Sequence, residues 1–297
     1  MLTGFADEAG ATIEKQIEAT KVLGWCNIES RAINGVNIHD MPDADFLACA
    51  DKLDRAGIQV NCFGSTIANW AKSIKSPFDE TLTEIRRAIP RMQRLKTPMI
   101  RIMSYAVLKD EKGRDLADQM KEERFRRLRK IVRLFQDAGI TAVHENCMNY
   151  GGMSYRHTLE LLEAVPGLKL VFDTGNPVFT NDRSKPSPHP KQSSWEFYSS
   201  IRDHIAYVHI KDGVSIPSPT ASGGEESRFT FPGEGNGDVR RIVQDLLAGG
   251  YTGGFSIEPH LAVVFHDASV QAPEEIKFAN YVEYGRRFMD LLREVNP

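Results

Sequence analysis

The run IAYVHIKD, residues 205–212, decides how this chain is read, because three other segments repeat its design. These are TAVHEN (141–146), LKLVFDTGN (168–176) and GGFSIEPH (253–260). Each is a short apolar stretch that reads as a buried β-strand and closes on one polar group: Glu145, Asp173, His209 or Glu258. The stretches between them have helical spacing, so strands and helices alternate as parallel βα units. In a parallel barrel all strands end on one face, and residues far apart in sequence converge there. Three carboxylates and one imidazole then point at one spot, which is an oxygen-rich ligand set for a borderline-hard divalent cation.

Four further strand–helix units precede these. The expected strands are LTGFA, WCNIES, IQVNCFG and MIRIMSY, and each is followed by an amphipathic stretch. Eight units predict closure into an α/β (β/α)8 TIM barrel that takes up residues 1–297 as one domain. Gly24, Gly57, Gly139 and Gly250 stand between a helix and the next strand, where the left-handed turn that stops a helix favours glycine. Pro90 is expected to kink or divide the third helix. In the fourth, Phe125, Leu128, Val132 and Phe135 form the inner stripe, and the Arg/Lys cluster reads as a solvated outer face. Two segments rich in Pro, Ser and Gly, at about 177–192 and 213–237, read as long loops on the face that carries the four polar groups.

Composition narrows the function classes. The chain has 297 residues, 41% of them hydrophobic, and a formal net charge of -3. That balance supports neither nucleic acid nor an anionic membrane as a partner. No apolar run approaches the roughly 20 residues that cross a bilayer. Cys26, Cys49, Cys62 and Cys147 show no C-x-x-C pairing and read as reduced thiols, and MLTGFADEAG shows no signal-peptide pattern, so a cytoplasmic protein is expected.

The period of two in a strand places further residues at the barrel mouth. Lys211 shares a face with His209, and His260 shares one with Glu258. Both are expected to contact substrate. His144, next to Glu145, points at the helix layer and reads as structural. Glu29 and Arg101 are expected to face the interior as a buried ion pair. Asp7 and Glu8 either line the mouth or cap a helix.

With these residues in view, the chain resembles the sugar isomerase/epimerase superfamily with a xylose isomerase-like barrel. The motifs that carry the resemblance are H-E-N at Glu145, F-D-T-G-N at Asp173, V-H-I-K-D at His209, P-G-E-G-N-G-D at 232–238 and S-I-E-P at Glu258. The resemblance implies that Glu145, Asp173, His209 and Glu258 hold Mn2+, with Co2+, Mg2+ or Zn2+ as alternatives. It implies that Glu145 and Glu258 also act as the acid/base pair. The chemistry implied is proton abstraction next to a carbonyl through a metal-stabilised enediolate, on a sugar or keto-sugar, with Lys211, His260 and Asn176 binding substrate.

The chain also departs from the superfamily's patterns. Its ketose 3-epimerases carry a His at the position of Asn176 and an Arg soon after the His ligand, whereas here no Arg follows until Arg228. These differences favour a second expectation, a keto-sugar or keto-glycoside lyase or dehydratase on the same site, sometimes assisted by a small partner subunit. NCFGS and RIMSY lack the extra histidines of endonuclease IV, which disfavours a DNA-repair site. A homo-oligomer is compatible with the resemblance.

Overall fold

The computed structural model describes residues 1–217, 225–264 and 267–296. Its centre is one sheet of eight parallel strands. In chain order they are β1 (Leu2–Gly4), β2 (Asn27–Ser30), β3 (Gln59–Gly64), β4 (Met99–Ile102), β5 (Thr141–Glu145), β6 (Lys169–Asp173), β7 (Ile205–Ile210) and β8 (Gly254–Ile257). Neighbours in sequence are neighbours in space from β2 to β8, and β8 pairs with β1. One parallel bridge, Phe5 to Glu29, joins β1 to β2 and nearly closes the barrel. The helices are α1 (Ile13–Val22), α2 (Asp43–Ala56), α3 (Phe78–Leu95), α4 (Lys121–Asp137), α5 (Tyr155–Ala164), α6 (Ser194–Ile201), α7 (Val239–Ala248) and α8 (Glu274–Val295). Among the described residues no helix is long and apolar enough to cross a membrane.

Local chemistry sets the ends of these elements. Thr12, Ser154 and Ser193 cap α1, α5 and α6, each accepting a backbone N–H from three residues on. Gly57 ends α2 with φ +69°, and Gly139 follows α4 with φ +75°. Pro90 lies inside α3 without dividing it. The basic face of α4 corrects the sequence reading. Arg126 and Arg133 are exposed, but Arg124 is fully buried and donates to the carbonyls of Ser104, Ala106 and Gln119. Periodicity places Phe125 and Leu128 in the core but does not reveal that a cation beside them is needed by loop carbonyls.

The barrel interior is filled by Cys62, Val143, Val171 and Tyr207, with Met99 packed against them. Two residues further along the same strands, on the same faces, come Arg101, Glu145, Asp173 and His209. The apolar layer is therefore the floor of the polar one, and the parallel register sets Asp173 beside His209.

The two long segments are more ordered than their composition predicts. After β6 a helical turn, Asn176–Phe179, leads into an antiparallel bridge between Asn181 and Lys191. After β7 the chain forms an antiparallel hairpin, Asp212–Pro217 with Glu225–Thr230. Residues 213–217 and 225–230 of the loop expected at 213–237 are thus paired strands, and residues 218–224 of that expectation lie outside the described residues. Proline and glycine conceal the alternation of Val214 and Ile216 and the pairing of Phe229 with Gly213.

Candidate metal centre and active site

The structure brings Glu145, Asp173, His209 and Glu258 together, all buried, with one ligand-type atom from each within 4.8 Å of the others. His209 Nδ1 lies 3.9 Å from Glu145 Oε1 and 4.0 Å from Glu258 Oε2. A cation with ligand bonds of about 2.1 Å bridges atoms up to about 4.2 Å apart. Buried His209 Nδ1 has no hydrogen-bond partner, and Asp173 Oδ2 faces the Lys211 ammonium at 2.9 Å. An orphaned polar atom at such depth is costly, and an imidazole nitrogen facing the carboxylates of Glu145 and Glu258 fits a divalent cation.

Each of the four is held by a neighbour. Asp173 Oδ1 accepts the backbone N–H groups of Gly175 and Asn176 at 2.9 and 2.7 Å, which leaves Oδ2 for the cluster. The aspartate therefore caps its turn with one oxygen and offers the other. Asn146, the last residue of the H-E-N motif, ties β5 to β6 by accepting from Asp173 N and donating to Asp173 O. His209 Nε2 lies 3.1 Å from Glu29 Oε2. Glu145 Oε2 accepts from Arg101 Nη1 at 2.9 Å, and Glu145 Oε1 accepts from Asn176 Nδ2 at 3.1 Å. Glu258 Oε1 accepts from Arg31 Nη1, and Glu258 Oε2 from Lys211 Nζ, both at 2.9 Å.

This corrects one expectation. Glu29 and Arg101 both face the interior, but Arg101 hydrogen-bonds Glu145 while Glu29 orients the imidazole. Alternation gave the facing of both residues and could not give their partners. Arg31 escaped the sequence reading altogether. It binds Asp7 through Nε and Nη2, Glu8 through Nη2 and Glu258 through Nη1. The signal was its place two residues after Glu29, just beyond the end of β2.

The electrostatics follow from burial among fixed cations. Burial raises the Glu145 carboxyl, but Arg101 and His209 outweigh it and hold it at about 2. Glu258 is likewise held well below the usual carboxylate range, since Lys211, His260 and Arg31 overcome burial. Burial lowers the His209 imidazole, but Glu29 and Glu145 push it up to about 10. Lys211, 2.9 Å from both Asp173 Oδ2 and Glu258 Oε2, is held above its ordinary value against burial by Asp173 and Glu258.

His260, in a left-handed turn at φ +52°, sets Nδ1 2.9 Å from Glu8 Oε1 and Nε2 3.6 Å from Glu258 Oε1. Glu8 also accepts the His260 backbone N–H at 2.7 Å. Asp7 and Glu8 are thus buried supports of Arg31 and His260 and do not themselves border the cavity above the cluster. His144 is buried against Ser104 and Asn149, and burial drops it to about 4, so it serves as a neutral packing group. A cavity of about 450 Å³ opens above the cluster and is bordered by Glu145, Asn176, Lys211, Glu258 and His260. Phe229 of the hairpin lies edge-on to His260 at 5.0 Å and beside Phe179 at 4.9 Å, forming one side of its rim.

A family model described as Xylose isomerase-like TIM barrel matches residues 12–281. The chain belongs to this family. Solved members of the xylose isomerase-like fold align along almost its whole length. A xylose isomerase-like TIM barrel protein from Mycobacterium smegmatis, in complex with magnesium, is 15% identical with a TM-score of 0.68, over 98% of this chain and 97% of that one. A D-tagatose 3-epimerase-like protein is 16% identical with a TM-score of 0.69, over 99% and 98%. The probable 3-DHS dehydratase AsbF from Bacillus anthracis is 17% identical with a TM-score of 0.65, over 94% and 96%. No curated protein matches the sequence. At these identities the xylose isomerase-like barrel itself is what the structures share.

Proposed function

We propose that this protein is a divalent-metal-dependent sugar isomerase or epimerase that removes a proton next to a carbonyl. The observation that carries the reading is the pair Glu145 and Glu258. Both border one cavity, both belong to the cation cluster, and each is kept ionised by its own cationic neighbours. A carboxylate that is to take a proton from carbon must be charged and near the bond that breaks. A bound cation, with Mn2+ the first choice and Co2+, Mg2+ or Zn2+ the alternatives, would be held by Glu145, Asp173, His209 and Glu258 and would supply Lewis-acid stabilisation of negative charge on oxygen.

The remaining residues divide the work. The carboxylate that takes the α-proton becomes the carboxylic acid and can return that proton to the adjacent carbon, completing an isomerisation, whereas epimerisation requires the other glutamate first to acquire a proton from solvent and then to deliver it from the opposite face. Lys211 and Asn176 donate hydrogen bonds to substrate oxygens. Arg31 and Arg101 hold the two glutamates in place. The family's fold and the name of an epimerase-like neighbour support this reading. His260 favours a second one, a keto-sugar or keto-glycoside lyase or dehydratase. Its Nδ1 is engaged by Glu8 while its Nε2 faces Glu258, which suits proton donation to a leaving oxygen.

The test is a panel of ketoses, inososes and keto-glycosides incubated in D2O with the protein and added Mn2+, after metal analysis of the purified chain. Metal-dependent deuterium at the carbon next to the carbonyl is expected, and the product separates rearrangement from elimination. A cation-loaded protein that exchanges no α-proton on any member would refute the proposal.

A further inference from the structure

The cavity above the cluster does not end at one sugar's reach. A second cavity, of about 470 Å³, adjoins it. Trp70, Cys147, Met148, Phe179 and Thr180 stand in the walls of both. Each volume falls within the range of about 300–1,000 Å³ in which small-molecule sites are found. The second cavity contains none of the four clustered residues and continues outward past Val107, Lys109 and Asn181.

Its walls are held in place by the surrounding structure. Arg124, fully buried, fixes the loop that carries Ala106 and Val107 by donating to the carbonyls of Ser104, Ala106 and Gln119. Opposite, Lys191 donates to Phe179 O at 3.0 Å and lies 2.9 Å from Glu225, and Arg183 pairs with Asp115. Those two cations are paired where they stand, and exposed Lys109 is the further cation on the outer wall. Trp70, Met148 and Phe179 form the boundary shared with the first cavity, and on the far side stand the side-chain amide of Asn181 and the ammonium of Lys109. An apolar threshold with a few polar groups beyond suits a ring that has one C–H face and hydroxyls at its rim.

We propose that the second cavity is a subsite for a glycosyl substituent, so that the substrate is a ketose bearing a second sugar ring. The ketose unit lies at the Glu145/Glu258 cluster and the second ring lies beyond Trp70. The proposal rests on the catalytic reading for the placement of the ketose unit. The size and chemistry of the second cavity carry the remainder.

The test is calorimetric binding to the Mn2+-loaded full chain of fructose and of three ketose disaccharides glycosylated at O3, O4 and O6: turanose, lactulose and isomaltulose. At least one disaccharide is expected to bind about tenfold or more tighter than fructose. Val107→Trp, which fills only the second cavity, should erase that gain and leave fructose affinity unchanged. Lys109→Trp, at an exposed position on the same wall, should do the same and covers the case in which the first variant does not fold. The proposal is overturned if no disaccharide exceeds fructose, or if the gain survives both substitutions. Absent α-proton exchange with the disaccharide gain intact would refute the catalytic reading and leave the subsite standing.

Discussion

Glu29 and His209 are 180 positions apart, and their side chains meet at 3.1 Å in the closed centre of the barrel. The contact occupies Nε2 of the imidazole and so commits Nδ1 to the cluster. Partners of this kind tune metal affinity without touching the metal. We expect Glu29→Gln to weaken Mn2+ binding about 10–100-fold, read by calorimetry, with the circular dichroism spectrum unchanged. Unaltered affinity would show that the imidazole is oriented by packing alone, through its edge-on contact with Phe5 at 5.0 Å.

Glu258→Gln removes the charge but keeps the shape. Arg31 and Lys211 still have Asp7, Glu8 and Asp173 as partners. The variant should therefore fold and lose α-proton exchange by at least about a hundredfold. Exchange at the original rate would remove Glu258 from the acid/base pair.

Arg31→Met is a stability experiment. The guanidinium serves three buried carboxylates, those of Asp7, Glu8 and Glu258. Removing one partner of a buried ionic group costs about 3–5 kcal/mol, because the charges left behind are desolvated. Urea denaturation should show a loss of that order. Arg31→Lys should recover only part of it, since an ammonium cannot reproduce the forked contact with Asp7.

Asp212 predicts a separate loss. Its carboxylate accepts four backbone N–H groups, from Gly213, Gly233, Gly235 and Gly237, and so gathers the P-G-E-G-N-G-D segment around an anion of the chain itself. Asp212→Ala should cost about 3 kcal/mol or more by leaving these donors without their acceptor. It should also speed amide exchange at the three later glycines, and exchange rates like those of the parent protein would contradict this account.

Cation affinity should rise with pH. Without a metal, His209 is raised to about 10 by Glu29 and Glu145 acting against burial. That raised value stabilises the folded protein below the ordinary imidazole value of 6.5, and the contribution fades as pH climbs through about 10. A cation needs the imidazole neutral, so binding near neutrality expels a proton. Titration of Mn2+ in buffers of different ionisation enthalpy should reveal the release, with affinity climbing up to about tenfold per pH unit. Binding that releases no proton would show that the ion is held by oxygen ligands alone.

The sequence made the barrel legible because each strand is a short apolar run with a polar terminus, and alternation then assigns facings without coordinates. That is how Glu145, Asp173, His209, Glu258, Lys211 and His260 came to be singled out together. Alternation says nothing about which charges pair across strands. Arg31 was therefore missed, and Arg101 was assigned to Glu29 instead of Glu145. The hairpin after β7 was hidden by turn-forming residues within its strands, and buried Arg124 by a helix face that is otherwise solvated. In each case the missing information was a tertiary partner, not a local preference.

Phe5 and Glu29 form the bridge that joins the first strand to the second, and Glu29 is also the residue that aims His209. Glu258 stands just beyond β8, the strand that pairs with β1. During synthesis, then, a chain still lacking its last strand has neither a finished ring nor a complete ligand set. A complete centre thus requires pairing of the two ends of the chain, contacts of large sequence separation that cost the most loop closure. Cation uptake during refolding would therefore serve as a clock for barrel closure.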